Sequence, residues 1–132
     1  MFNLTVATPE KSVFENIEAK ELTVPGYLGE LNVLPGHAPL MTTLTPGILQ
    51  VVKADGTKEK MAICWGYCEI NPKGVHILAE TALRPEELDA DRLKQDMEDA
   101  QKALVSGELS PDDYEANMKR LQKAMARQRL VQ

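Results

Sequence analysis

The chain has 132 residues, a formal net charge of −5 and a pI near 5.1, with 43% hydrophobic residues. This length predicts one domain or a small domain with an appendage, and the composition argues against disorder and, with its acidic pI, against nucleic-acid binding. No apolar run approaches the ~20 residues that span a bilayer, and no signal peptide is recognisable at the N-terminus, so we expect a cytosolic protein with reduced thiols at Cys64 and Cys68.

The first 84 residues have the pattern of short strands separated by turns. Apolar residues alternate with polar or small ones from Phe2 to Ala7 and again from Ile17 to Val24. Three Pro-Gly dipeptides mark turns, and Asp55-Gly56 predicts a tight hairpin after the β-branched run that begins at Ile48. Many short strands at regular spacing are typical of a β-sandwich or barrel.

The pattern changes to helical from Pro85 onwards. A first helix is indicated by apolar residues at helical spacing, and a second begins at Ser110-Pro111, where a hydroxyl cap precedes a proline. Because about five residues join them, the two helices are predicted to form an antiparallel hairpin. The apolar faces are predicted to be Leu93, Met97, Ala100 and Leu104 on the first helix, and Tyr114, Met118, Leu121 and Met125 on the second.

Charge is sorted along this helical part. Residues 86–115 contain eleven acids and three bases, whereas residues 116–132 contain five bases and no acid. Lys119, Lys123 and Arg127 recur every four residues and therefore share one stripe of the last helix. Two interpretations stay open: a solvated face whose bases pair with the acidic first helix, or a docking surface for an acidic partner segment.

Motifs for catalysis are missing from the sequence. There is no glycine-rich phosphate loop, and no serine has an evident histidine base. Cys64 and Cys68 lack the C-x-x-C spacing of a zinc site, and His76 lies within a strand pattern where it would pack across strands. We therefore expect neither an active site nor a metal site.

One segment is unusual: residues 29–40 read Gly-Glu-Leu-Asn-Val-Leu-Pro-Gly-His-Ala-Pro-Leu. By itself this is either a rigid corner or a preorganised binding loop. The string resembles the signature of the ε subunit of F-type ATP synthase. The resemblance continues through residues 44–47, 66–70, 75–79 and 88–92, and covers nearly the whole chain, most weakly over the last helix.

This resemblance implies a fold and a role. The fold is an N-terminal ten-stranded β-sandwich (residues 1–84), which binds the γ subunit and the c-ring, and a C-terminal antiparallel two-helix hairpin (residues 85–132), which is regulatory and inhibitory. The role is that of a non-catalytic central-stalk subunit that couples rotation to ATP synthesis. Such a protein is peripheral at the cytoplasmic face of the bacterial plasma membrane and touches the membrane only through the c-ring.

The resemblance also implies contact residues. Glu30 and His37 match the loop that approaches the c-ring and γ. In the inhibited state, in which the α and β subunits are partners, the extended hairpin would meet an acidic segment of β. The residues that match this contact are Lys119, Arg120, Lys123 and Arg127.

Asp89 and Arg92 match a motif with which some relatives bind ATP. ATP is therefore expected as a weak regulatory ligand at most, because Leu93 and Asp99 depart from the pattern of the ATP-binding relatives, and no other cofactor is expected. A competing role for Asp89 and Arg92 is a helix cap with an i,i+3 ion pair. The alternative function is a free ATP-sensing regulatory protein whose hairpin closes over the nucleotide.

Overall fold

Seven strands and two helices make up the computed structural model, which describes residues 1–131. A short 3-10 turn over Pro85–Glu87, here the linker turn, joins the strands to the helices, and a second one over Arg129–Val131, here the C-terminal turn, ends the described chain. The strands and helices are β1 (Phe2–Ala7), β2 (Ser12–Gly26), β3 (Gly29–Val33), β4 (Leu40–Leu44), β5 (Gly47–Lys53), β6 (Lys58–Asn71), β7 (Gly74–Leu83), α1 (Ala90–Val105) and α2 (Pro111–Gln128).

The sandwich and the hairpin are confirmed, but the expected ten strands are corrected to seven. The difference arises because β2 and β6 are long, with 15 and 14 residues, and each runs without interruption past several partners. β2 pairs first with β1 and then with β3 and β5. β6 pairs with β5 along its first half and with β4 along its second half, so one strand serves both layers.

Among residues 1–131, every member of the core cluster lies on a strand. Neighbouring strands are antiparallel except for β1 and β7, which run parallel. The largest fully buried side chains include Leu4, Leu22, Leu49, Met61 and Ile63, all on strands. The apolar alternation along these strands therefore builds the sandwich without help from the hairpin.

In the middle of β6, the side chains that point into the core switch from one set of alternate positions to the other. Its core residues are Met61 and Ile63 before the change and Cys68 and Ile70 after it, so the inward positions switch from odd to even numbers. Since side chains alternate regularly along an undistorted strand, one irregular step must lie between residues 63 and 68.

The irregular step is at Trp65 and Gly66, which have positive φ angles of 37° and 153°. One consequence is that Ala62 and Cys64 point away from the core, although both are buried. The hairpin covers this side of the sheet, as described below.

Ser110 caps α2 as expected, and Asp89 caps α1, which agrees with the competing interpretation of that residue. The Asp89 carboxylate accepts a hydrogen bond from the Arg92 backbone N–H, and the Ser110 hydroxyl accepts one from Asp113 N–H, both at 3.1 Å. Among the described residues, no helix is both long and apolar enough to cross a membrane.

Two local predictions need correction. On α2, Tyr114 and Met125 are 50% and 44% exposed, and the buried residues are Ala124 and Ala126, because small side chains allow α2 to approach its neighbours closely. At the β5–β6 turn, the loop has four residues rather than two. Only Gly56 has positive φ there, while the Asp55 carboxylate accepts a hydrogen bond from Thr57 N–H at 2.9 Å.

Candidate functional site

The hairpin lies against the sandwich through its second helix. α2 and the C-terminal turn contact β5 and β6, whereas α1 packs mainly on α2. Within the C-terminal turn, Leu130 is only 4% exposed, while Arg129 and Val131 on either side are exposed. Leu130 therefore anchors this end of the hairpin to the sheet.

A charged cluster fixes the residue that precedes the linker turn. Glu59 forms ion pairs of 2.8 Å with both Lys53 and Arg84. The two cations also lie 5.3 and 5.4 Å from the centroid of the Phe14 ring, within the range of cation–π attraction. Arg84, the last residue before the linker turn, is thus held by side chains from β2 and β6.

The linker turn itself is tied back to the sandwich by Glu87. Its carboxylate accepts hydrogen bonds from the Arg84 backbone N–H at 3.0 Å and from the Lys11 ammonium at 3.1 Å. The Arg84 hydrogen bond and Lys11 hold the pKa of Glu87 below its ordinary value, because both interactions favour the ionised carboxylate.

A cavity of about 550 Å³ opens between the linker, the two helices and the end of β7. Five of the predicted site residues line it, so the structure brings the nucleotide motif and most of the basic stripe to one place. These residues are Asp89, Arg92, Arg120, Lys123 and Arg127.

The cavity carries a small excess of positive charge. Four bases line it against three acids (Glu87, Asp89 and Asp96), which leaves one net positive charge. Arg120 is neutralised by Asp96 at 3.0 Å and Asp99 at 3.6 Å, both on α1. The Arg127 Nε atom is buried and has no hydrogen-bond partner among residues 1–131. The arrangement can therefore attract an anionic ligand, chiefly through Arg92, Lys123 and Arg127.

Lys119 is the one basic-stripe residue outside this cavity. Its ammonium lies 5.9 Å from the centroid of the Trp65 ring and 3.8 Å from the Glu115 carboxylate. With the hairpin folded down, Lys119 and Arg120 thus have partner groups on this chain, whereas Lys123 and Arg127 line the cavity.

Glu30 and His37 do not form one site. Glu30 is exposed on β3 and lines a cavity of about 350 Å³ with Pro25, Pro46 and Arg129. His37 is half-buried, its Nδ1 lies 2.7 Å from the Ala38 carbonyl oxygen, and it lines a different cavity of about 220 Å³.

Two apolar surfaces were missed by reasoning from the sequence. The first, here the tip, is the β2–β3 turn, where Tyr27 is 71% and Leu28 is 94% exposed. Large apolar residues between Gly26 and Gly29 are the signal that could have revealed it, since turns are usually polar.

The second surface, here the outer face, lies on β4, β6 and β7. Tyr67 pairs directly with Leu78, and Met41 projects nearby on β4, all three substantially exposed. Glu69 and His76 pair beside them, so His76 lies on this exposed surface. The face switch in β6 hides this surface from a simple alternation pattern.

Comparisons with known proteins address the whole chain. Residues 1–85 match the family model described as "ATP synthase, Delta/Epsilon chain, beta-sandwich domain". The ATP synthase epsilon chain of Bdellovibrio bacteriovorus is 42% identical over 112 residues, which cover 84% of this chain and 80% of the relative. That of Geotalea uraniireducens is 43% identical over 120 residues, which cover 87% and 84%.

Two solved structures are similar in fold. A chain of the Euglena gracilis mitochondrial ATP synthase structure (OSCP/F1/c-ring, rotational state 1) superposes with a TM-score of 0.88 at 23% identity, covering 99% of this chain and 81% of that one. A chain of the Tetrahymena thermophila mitochondrial ATP synthase structure (central stalk/c-ring) gives 0.69 at 13% identity, covering 98% and 96%.

Proposed function

The chain belongs to the ATP synthase epsilon chain family, and from this premise we propose that it is a non-catalytic central-stalk subunit of a proton-translocating F-type ATP synthase. In this role it links the γ subunit to the c-ring and rotates with them, at the cytoplasmic face of a bacterial membrane. The observation that carries the proposal is the match to epsilon chains over more than four-fifths of this chain.

The two exposed apolar surfaces fit two partners. The outer face offers Met41, Tyr67 and Leu78 on a rigid sheet, which suits a broad contact with γ. The tip offers Tyr27 and Leu28 next to the Glu30 carboxylate, which suits a contact with polar loops of the c-ring. Contiguous exposed apolar side chains of this kind are typical of protein interfaces.

Copurification with γ and with the c-ring tests this assignment. Met41→Glu with Leu78→Glu places two charges in the outer face, and we expect loss of γ binding because the charges would be desolvated. Lys20→Glu, an exposed residue of β2 outside both surfaces, changes the net charge by the same two units and should leave binding intact. Leu28→Asp should weaken the c-ring contact and spare γ, and a chain that never recovers γ would refute the proposal.

The hairpin is proposed to inhibit ATP hydrolysis when it extends toward the α and β subunits. In the folded-down arrangement Lys119 and Arg120 contact groups of this chain, whereas Lys123 and Arg127 line the cavity beside α1. We expect this surface to meet an acidic segment of β only after the hairpin leaves the sandwich. Truncation after Val105 should relieve inhibition in the assembled complex without preventing assembly. Unchanged hydrolysis would count against an inhibitory hairpin.

A second candidate function is nucleotide sensing in the 550 Å³ cavity, which its basic lining favours. Leu93 is nearly buried in the cavity wall, and Asp99 engages Arg120, so we expect weak binding of ATP.

Isothermal titration should show Arg127→Gln weakening this binding. Asp89→Asn separates the two roles of Asp89, because asparagine keeps the helix cap and removes the charge. Absence of heat at millimolar ATP would exclude this function.

A further inference from the structure

The pairing of β4, β6 and β7 arranges the outer face in two rows that cross these strands. The first row contains Thr43, Tyr67 and Leu78, and the second contains Met41, Glu69 and His76. Between the rows, Cys68 and Ile77 point into the core. Of the six residues in the rows, Glu69 is the one acid, and none is a lysine or an arginine. The rows therefore present a single carboxylate beside the exposed side chains of Met41, Tyr67 and Leu78.

The Glu69 side chain is half-buried, and its carboxylate is held in one orientation. Its Oε1 atom accepts a hydrogen bond from Asn71 Nδ2 at 2.8 Å. Asn71 is itself fixed, because its Oδ1 atom accepts a hydrogen bond from the Lys73 backbone N–H at 2.8 Å in the β6–β7 turn. The turn that ends β6 thus orients the carboxylate before any partner arrives.

No cation among residues 1–131 forms an ion pair with Glu69. His76 lies opposite Glu69 in the β6–β7 pair, but the two side chains form no ion pair. Glu59 makes the contrast clear, since it is also half-buried on β6 and is paired with both Lys53 and Arg84 at 2.8 Å. The charge of Glu69 is therefore left to water, or to a partner that displaces the water.

A protein that covers the outer face must supply the missing positive charge. Contact with Met41 and Tyr67 would remove water from Glu69, and an ionised carboxylate that is buried without a partner is strongly unfavourable. For this reason charged residues are depleted at the centres of protein interfaces. A lysine or arginine removes the penalty, because its cation can reach Oε2, which accepts no hydrogen bond from residues 1–131. Its apolar stem can pack on the neighbouring apolar side chains.

We propose that Glu69 determines the specificity of the outer face by binding one lysine or arginine side chain of the γ subunit. The identification of γ as the partner rests on the proposed function, whereas the need for a cation rests on the carboxylate and its surroundings. Asn71 is the positioning residue that orients the carboxylate for this contact. The apolar side chains supply contact area, and Glu69 selects a partner surface that carries a base at the matching position.

Binding of the full chain to a complex of α, β and γ subunits that lacks this chain tests the role of Glu69. Glu69→Gln keeps the size of the side chain and an acceptor for Asn71 but removes the charge. We expect its Kd to rise about tenfold or more, mainly through faster dissociation, because the base of γ would be left buried and unpaired. Glu98→Gln is the matched control, since Glu98 is exposed on α1, and it should bind like the wild-type chain. A wild-type Kd for Glu69→Gln would overturn the proposal.

Single changes of the lysine and arginine residues of γ to methionine identify the partner side chain. For one of them, the loss of binding seen with the wild-type chain should be largely absent with Glu69→Gln, because either change breaks the same pair. Additive losses for every γ variant would show that no base of γ contacts Glu69 and would overturn the proposal.

The positioning role of Asn71 is tested through the same coupling. Asn71→Ala should weaken the coupling between Glu69 and the base of γ, a readout that a purely structural role in the turn would not change. Undiminished coupling in Asn71→Ala would contradict the positioning role.

His76 offers the alternative explanation, in which Glu69 acts through its neighbour across the strands. His76→Asn should leave the effect of Glu69→Gln on the Kd unchanged. If that effect vanished in the His76→Asn background, Glu69 would act through His76 and the proposal would be wrong.

Two outcomes separate the role of Glu69 from the role of the whole chain. A wild-type chain that does not bind γ would refute the proposed function and, with it, γ as the partner of Glu69. A chain that loses γ on Met41→Glu with Leu78→Glu but binds normally as Glu69→Gln would leave the proposed function in place and refute only the role of Glu69.

Discussion

Gly66 occupies a position in β6 that no residue with a side chain can take without moving β7. A Cβ atom there would lie 1.9 Å from the Leu78 carbonyl oxygen, and the φ angle of 153° also disfavours side chains. Gly66→Ala should lower the free energy of unfolding by about 3 kcal/mol or more, as measured by urea denaturation.

Gly56→Ala is the control for the backbone effect alone. Gly56 has a φ angle of 88° and open space around its Cβ position, so we expect a loss of only about 1 kcal/mol. Equal losses in the free energy of unfolding for the two variants would show that β7 can shift at little energetic cost. The face switch in β6 would then not be tightly constrained.

Cys68 should make the stability of the sandwich depend on alkaline pH. Burial raises the pKa of its thiol from 9.0 to about 11, so the folded state resists ionisation and the unfolded state does not. The contribution is complete below pH 9 and is lost as the pH rises toward 11, with a slope of up to about 1.4 kcal/mol per pH unit. Cys68→Ala should be less stable at pH 7, but its stability should fall less steeply between pH 9 and 11. Parallel curves would contradict this.

At the residue scale, local chemistry was readable from the sequence and distant geometry was not. The two caps depend on neighbouring residues: the one at Ser110 was predicted, and the one at Asp89 was among the two interpretations of that residue. The positive φ of Trp65 has no local signal, because bulky residues rarely adopt it. Because the irregular step at Trp65 and Gly66 could not be predicted, neither the burial of Cys64 outside the core nor the outer face could be anticipated.

At the element scale, the hairpin depends on alanine for its close packing. Ala100 on α1 is fully buried, and α1 packs mainly on α2. Ala100→Leu should overpack this contact and destabilise the hairpin by about 1–3 kcal/mol, which hydrogen exchange of α1 and α2 amides would measure. Ala116→Leu, at an exposed position of α2, is the control and should leave exchange nearly unchanged. Similar exchange in the two variants would argue against tight helix–helix contact.

Elements were predicted more reliably than their extents and faces. Strand alternation and helix caps gave the sandwich and the hairpin in the correct order. The number of strands could not be predicted, because β2 and β6 continue through their irregular residues while changing partners. The buried face of α2 was wrong for a related reason. Large apolar residues dominate a hydrophobic pattern, whereas the contact itself uses Ala124 and Ala126.

On the scale of the whole molecule, the sandwich should fold without the hairpin. Its core cluster consists only of strand residues, and the charged cluster around Arg84 precedes the helices in the chain. A fragment of residues 1–88 should therefore unfold cooperatively in urea and expose one thiol, that of Cys64, to an aromatic disulfide reagent. Non-cooperative unfolding, or two reactive thiols, would show that the core needs the hairpin.

The candidate site was predictable in composition but not in arrangement. The charge sorting along residues 86–132 was visible in the sequence, and Arg120 indeed pairs with acids of α1. Which side Lys123 and Arg127 face depends on how the whole hairpin docks, a long-range property that spacing cannot fix. For the same reason Glu30 and His37, seven positions apart, line different cavities.

The antiparallel hairpin holds a long reach in a short space. α1 and α2 have 16 and 18 residues, so each is about 25 Å long at 1.5 Å per residue. While α2 lies antiparallel on α1, its last turns lie beside the first turns of α1, as the Arg120–Asp96 ion pair indicates. With the two helices in line, the C-terminal end of α2 would instead lie about 50 Å from Leu88. The angle between the helices therefore decides where the five bases of residues 116–132 stand.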